Sequence, residues 1–226
     1  MGIDINPNFP EQVLMQKKQA IFNFFNLNTI WWINNNQPYR ELIFRKENIN
    51  FPDSRFISRV LKTPQKRGPS FTARFLNSDT VKNKKHFFIG LNEEDMIKIS
   101  EICSINARYL KAHNPPYIKE TEFSEEERNK IIKKIKKSKP DFIWVCVGSP
   151  KQEILANQLF KKYKGIYFNV GAATDFLLKK KKESPEIFRK VGLEWSYRLV
   201  TDFKTTRKKA WRSFISLKYI NQLNLK

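Results

Sequence analysis

The sequence predicts an α/β fold of Rossmann-like type, a mostly parallel sheet flanked by helices, with a basic helical appendage at the C-terminal end. Three observations carry this. Short apolar runs at 84–89, 142–147 (FIWVCV) and 165–170 (GIYFNV) alternate with stretches of helical spacing at 93–102, 125–137 and 153–163. The run at 142–147 is continuously apolar, as in a strand buried on both faces of a parallel sheet. Composition then shifts: positions 179–182 are four lysines, and 198–226 hold eight Lys or Arg against one acid, Asp202.

Taken in order, residues 11–26 mix apolar and polar positions and predict a helix ending in Phe22, Phe24 and Phe25. Residues 29–33 (TIWWI) are β-branched and aromatic and predict a strand, closed by the turn residues Asn34, Asn35 and Asn36. A short helix over 38–45, a tight connection over 50–53 and a helix over 55–61 follow. The strand at 84–89 is closed by Gly90. Ser124, with Glu127 three residues on, predicts an N-cap and capping box for a helix that Lys139-Pro140 ends. Trp211, Phe214 and Ile215 share one face of a basic amphipathic segment, the pattern of a helix lying on an anionic membrane.

Composition bounds the function. The chain has 226 residues, 40% of them hydrophobic, enough for one α/β core. Nineteen Phe and only seven Gly make each Gly a candidate for a backbone task. The net charge of +21 attracts nucleic acid, anionic lipid or nucleotide phosphates. Two cysteines and two isolated histidines offer neither a disulfide framework nor a zinc set. No secretory signal and no apolar run near the ~18 residues of a membrane span are evident, so a cytoplasmic protein is expected.

In a doubly wound sheet, ligands sit at the carboxyl ends of the strands. Gly148-Ser149-Pro150-Lys151-Gln152-Glu153 follows the most apolar strand and opens a helix. The Gly lets the chain approach a ligand, the helix start favours a diphosphate, Lys151 adds charge, and Gln152 can contact sugar hydroxyls. Read without other information, an ordinary strand-to-helix loop fits as well. Gly171 and its small neighbours end the next strand, and Asp175 follows as either an N-cap or a site residue. Asp53 is either a turn residue or, if it faces the cleft, a general base. No Asp-x-Asp pair follows a strand, so protein cations or helix ends would have to stabilise a leaving diphosphate.

Residues 141–153 (DFIWVCVGSPKQE), 169–177 (NVGAATDFL) and 192–199 (GLEWSYRL), in this order, resemble the WecG/TagA/CpsF family of glycosyltransferases (glycosyltransferase family 26). Residues 114–117 (NPPY) and 51–53 (FPD) resemble two further family segments. The resemblance extends over about 84–212 and is most specific at SPKQE and at LEWSYRL; 1–80 is the divergent part. It implies a compact glycosyltransferase domain over 1–195 and a membrane-docking appendage over 196–226. It implies inverting transfer of a sugar, N-acetylmannosamine, its uronic acid or a related hexose, from a UDP-sugar to a polyprenyl-diphosphate-linked acceptor, in cell-surface polysaccharide synthesis. No metal and no other cofactor are implied, and the location is the inner face of the cell membrane.

Carried over by position, the resemblance makes Asp53 the base, Gln152 a donor-sugar contact, and Gly171 and Asp175 donor-site lining. Gly148, Ser149, Lys151 and Glu153 belong to the same substrate loop, and Asn36 stands for the family's Thr-x-Asn. Arg198 matches an Arg of the Glu-Trp motif, and Arg207, with Lys204 as substitute, is the tail cation expected to meet the diphosphate. Ser54, Thr174 and the residues around 178–185 depart from the family pattern. Two other readings stand beside this one: a basic nucleic-acid-binding protein, against which no RNA- or DNA-reading signature appears, and a non-catalytic family member that binds a membrane or partner. Nucleic acid is therefore not the expected partner, and the tail aromatics leave a homo-oligomer open.

Overall fold

The computed structural model describes residues 3–6, 8–181, 185, 188 and 203–225. The motif at 192–199, with Arg198, lies outside them.

Six parallel strands form the central sheet: β2 (Ala20–Phe25), β3 (Asn48–Pro52), β4 (His86–Ile89), β5 (Leu110–His113), β6 (Phe142–Val145) and β7 (Ile166–Asn169). Their order is β3-β2-β7-β6-β4-β5. The chain thus winds outward from β2 to β3 at one side and from β4 to β5 at the other. It then returns through β6 and β7 to fill the centre. The expected Rossmann-like α/β sheet is present. A two-stranded parallel pair, β1 (Ile3–Ile5) with β8 (Leu223–Leu225), ties the two ends of the described chain together.

Alternation along the strands sorts side chains onto two faces. Phe88, Trp144, Phe168 and Phe22 occupy one row across β4, β6, β7 and β2. Their rings pack at centroid distances of 5.6, 4.7 and 5.2 Å along it. Helix α5 (Gly68–Leu76) lays Phe71 and Phe75 on this row. Much of the phenylalanine excess is spent here. The opposite face carries Ile21, Ile143, Val145 and Tyr167 under α7 (Glu125–Ser138) and α8 (Lys151–Lys162). His86 lies in the core. Its Nδ1 is 3.1 Å from the Trp144 Nε1 donor and its Nε2 3.1 Å from Val81 O, and burial lowers its pKa to about 4.

The central and C-terminal elements follow the periodicities closely, and the N-terminal third does not. Residues 20–25, expected to end a helix, form the fully buried strand β2. Residues 29–33, expected as a strand, lie inside helix α2 (Leu27–Asn35). The deciding local signal is Asn26, whose side chain accepts from the backbone N of Asn28 and Thr29 and caps the helix. Ile30 and Ile33 then share a buried face at a spacing of three. The Asn34–Asn36 turn is corrected with it: Asn36 is the N-cap of α3 (Gln37–Ile43). The connection expected at 50–53 is the end of edge strand β3, and the short edge strand β5 was not anticipated. Other helices among the described residues are α1 (Pro10–Leu14), α4 (Arg55–Val60), α6 (Glu93–Cys103) and α9 (Ala173–Leu177). Ser124 caps α7, accepting from Glu127 N at 3.2 Å. The Glu127 half of the capping box is absent, because its carboxylate pairs with His113 Nε2 at 2.6 Å.

Helix α10 (Phe203–Ile215) packs on α2, with the Arg212 guanidinium 4.5 and 4.7 Å from the ring centroids of Trp31 and Trp32. Leu217 and Tyr219 pack against the cluster of Ile5, Phe25, Ile30 and Tyr39. Trp211 and Phe214 stack on each other and remain 64% and 59% exposed. No described helix is long and apolar enough to cross a membrane.

Candidate active site

The loops after β6 and β7 meet at two glycines. Gly148 has φ +81 and Gly171 φ +55, both in the left-handed region that side chains avoid. A β-carbon on Gly171 would stand 3.1 Å from Gln152 Oε1 and 3.6 Å from Gly148 Cα. A β-carbon on Gly148 would meet nothing within 4 Å. One glycine permits close packing of the two loops, and the other borders open space.

Helix α8 begins on this junction and aims its first turn into it. Pro150 occupies the N-cap with no side-chain cap. Gln152, 4% exposed, donates through Nε2 to Glu153 Oε1 at 2.8 Å, Ser149 Oγ at 3.2 Å and Asn169 O at 3.3 Å. Ser149 Oγ donates to Glu153 Oε1 at 2.6 Å. Burial raises the Glu153 carboxyl above its ordinary range, against these bonds. Tyr39, also buried, is pushed well up by burial and then by Glu153. Gln152 Oε1, Glu153 Oε2 and Asn169 Oδ1 are buried without a hydrogen-bond partner among the described residues.

Behind this turn runs a chain of amides that the sequence reading did not single out. Asn169 Nδ2 donates to Asn23 Oδ1 at 2.7 Å, and Asn23 Nδ2 to Asn50 Oδ1 and Asn48 Oδ1 at 2.9 and 3.0 Å. Asn157 Nδ2 bonds Asn48 Oδ1 at 3.1 Å and the Glu153 carbonyl at 2.9 Å. The row crosses β7, β2 and β3 and ends on α8. Its visible signal was a polar residue in the middle of the apolar run AIFNFF and two Asn spaced by two at 48 and 50.

The other predicted residues fall around this centre. Asp53 follows β3, and its Oδ1 accepts from Gly68 N at 2.8 Å at the start of α5. Lys151 Nζ donates to Ile118 O and lies 5.0 Å from the Tyr117 ring, so it holds the loop between β5 and α7. Burial lowers its pKa. Asp175 is at the third position of α9 rather than at its N-cap, and its Oδ2 pairs with Lys181 Nζ at 2.7 Å. Lys180 Nζ pairs with the buried Asp95 at 2.5 Å. Asn36 accepts from Tyr39 N at 2.8 Å through Oδ1, which fixes the start of the helix that carries Tyr39. Arg207 is exposed on α10. The structure thus brings Gly148, Ser149, Gln152, Glu153 and Gly171 into one cluster and sets Asp53 beyond it, past β2.

A six-stranded parallel sheet flanked by helices, with glycine loops and a helix start lacking a side-chain cap at the carboxyl ends of its central strands, defines an α/β protein of Rossmann-like type. The chain belongs to the glycosyl transferase WecG/TagA/CpsF family, whose model matches residues 6–222. It is 31% identical over 128 residues, 55% of this chain and 47% of the relative, to an N-acetylglucosaminyldiphosphoundecaprenol N-acetyl-beta-D-mannosaminyltransferase of Staphylococcus aureus strain NCTC 8325. A relative of the same name from strain MRSA252 is 33% identical over 131 residues, again 55% of this chain and 47% of the relative. The chain spans about half the length of the curated relatives it matches.

Proposed function

We propose that this protein is an inverting glycosyltransferase that moves a hexose of the N-acetylmannosamine type from a UDP-sugar to a sugar linked to polyprenyl diphosphate. The observation that carries the reading is the Gly148–Gly171 junction with Gln152 beside it. Gln152 Oε1, a buried acceptor with no hydrogen-bond partner among the described residues, lies beside Gly171, and a sugar's hydroxyl groups are donors of the kind it requires. The uncapped start of α8 offers a positive dipole end to a diphosphate. The names of the relatives support the choice of sugar and acceptor.

In the reaction, the acceptor hydroxyl oxygen bonds to the anomeric carbon as the bond from that carbon to the UDP oxygen breaks. The hydroxyl proton passes to Asp53, whose orientation is fixed by the Gly68 N–H. Charge develops on the departing diphosphate, where the helix start of α8, Arg198 and Arg207 act without a metal. Residues 1–195 form the transferase domain. Residues 196–226 dock it on anionic lipid at the inner membrane face, through the exposed Trp211 and Phe214 and the exposed cations Arg207, Lys208 and Lys209. A thermal-shift panel of UDP-, GDP- and dTDP-sugars tests the donor. Stabilisation by UDP-sugars alone is expected, and equal or absent shifts across the panel would defeat the reading.

A further inference from the structure

Outside the glycine junction, beyond edge strand β3, a cavity of about 340 Å³ opens along α4 and the turn that follows it. Among the described residues its wall carries three cations, Arg55, Arg59 and Lys62, with Ser58, Thr63, Pro64 and Gln65 beside them. Arg55 Nε is buried and has no hydrogen-bond partner among the described residues. Behind the wall, the buried Lys66 donates from Nζ to Thr63 Oγ1 at 3.2 Å, adding a fourth positive group. The cavity is small on the scale of ligand pockets, roughly 300–1,000 Å³. That size suits a phosphoryl or diphosphoryl group rather than a whole nucleotide sugar.

The turn places a lysine at positive φ, as Lys139 and Lys179 also stand elsewhere in the chain. Lys62 N bonds Arg59 O at 3.2 Å and Thr63 N bonds Ser58 O at 3.0 Å, the paired bonds of a Schellman motif. The residue between them stands at φ +48, the position glycine ordinarily fills. Here it is Lys62. A lysine in the left-handed region costs stability that a glycine would not, and its side chain lines the cavity. These bonds also engage the last carbonyls of α4, which would otherwise face an anion.

We propose that this cavity is a second anion site, separate from the glycine junction, that binds a phosphate-bearing group. Gln65 lines it and donates from Nε2 to the Asp53 carbonyl at 2.6 Å. The site therefore shares a wall with the loop that carries Asp53, and the glycine junction lies across β2. A phosphate held here belongs to the molecule that approaches Asp53, the acceptor diphosphate, an assignment that rests on the transferase reading above. A membrane phospholipid headgroup offers the same chemistry.

Lys62→Gly separates function from folding, because it relieves the turn while removing a cation. The test measures binding to the full chain and to this variant by calorimetry, each without UDP and with UDP saturating. One arm uses inorganic pyrophosphate, and the other uses phosphatidylglycerol vesicles. The expected result is a higher Tm for Lys62→Gly, unchanged UDP affinity and about tenfold weaker pyrophosphate binding. A loss confined to the vesicle arm also supports a phosphate site and assigns it to the headgroup. Unchanged binding in both arms overturns the proposal, as does displacement of pyrophosphate by UDP in the wild type. Absence of UDP binding by the wild type would instead sink the donor reading and leave the pyrophosphate result standing.

Discussion

Gln152 Oε1 lies 3.1 Å from the point where a β-carbon on Gly171 would stand. The amide is held by three bonds from its Nε2, so it cannot swing away without breaking them. Gly171→Ala should therefore displace Gln152 and strain a backbone at φ +55. We expect UDP-sugar affinity to fall at least tenfold and stability to drop by about 1–2 kcal/mol. Calorimetry with UDP and thermal unfolding read the two effects.

As the proposed base, Asp53 would have two tasks that substitution can separate. Its Oδ1 accepts from Gly68 N at the start of α5, and the amide of Asn can do the same. Asp53→Asn should keep the fold and UDP binding but lower turnover by about 10²–10⁴-fold, the usual worth of a general base. Asp53→Ala should lose turnover equally and also lose about 1 kcal/mol of stability, a Tm drop of roughly 2–4 °C. Steady-state transfer rates beside melting curves distinguish the variants.

Stability should fall in mild acid because of His86. Burial lowers its folded pKa to about 4 from an ordinary 6.5. Between those values the unfolded chain binds the proton and the folded protein does not, so the histidine's contribution is lost as pH falls through this window. The loss attributable to it is on the order of 3 kcal/mol at full protonation. Denaturant unfolding of wild type and His86→Gln at pH 7 and pH 4.5 measures it. The gap between them should shift towards the variant at the lower pH.

The C-terminal segment is structural as well as exposed. Deleting it would remove β8 from β1 and Leu217 and Tyr219 from their cluster, so a truncation would mix folding with docking. A double change of Trp211 and Phe214 to Ala avoids this, since both are largely exposed. Liposome binding should drop about tenfold with Tm unchanged. Arg212→Ala should act oppositely on stability, costing about 1–2 kcal/mol through its contacts with Trp31 and Trp32.

The sequence was legible where one period dominated. The central strands at 86–89, 142–145 and 166–169 were each anticipated, and with them the loops that meet at Gly148 and Gly171. The N-terminal third misled because its two apolar stretches are adjacent and both aromatic-rich. Only the Asn26 cap distinguishes strand Ala20–Phe25 from helix Leu27–Asn35. The amide row through Asn23, Asn48, Asn50 and Asn169 was hidden for a different reason. Its members are distant in sequence, and only the register of three strands brings them together. Lys62 was hidden because its significance lies in a backbone angle.

Metal-independent inverting transfer is tested by an assay with UDP-N-acetylmannosamine and N-acetylglucosaminyl-diphosphoprenol in EDTA, with the product's anomeric linkage read by NMR. Inverting transfer with Asp53 as base predicts a new linkage inverted relative to the donor, equimolar UDP release, and loss of product in Asp53→Asn. Retained configuration, a requirement for divalent metal, or full activity in Asp53→Asn would contradict it.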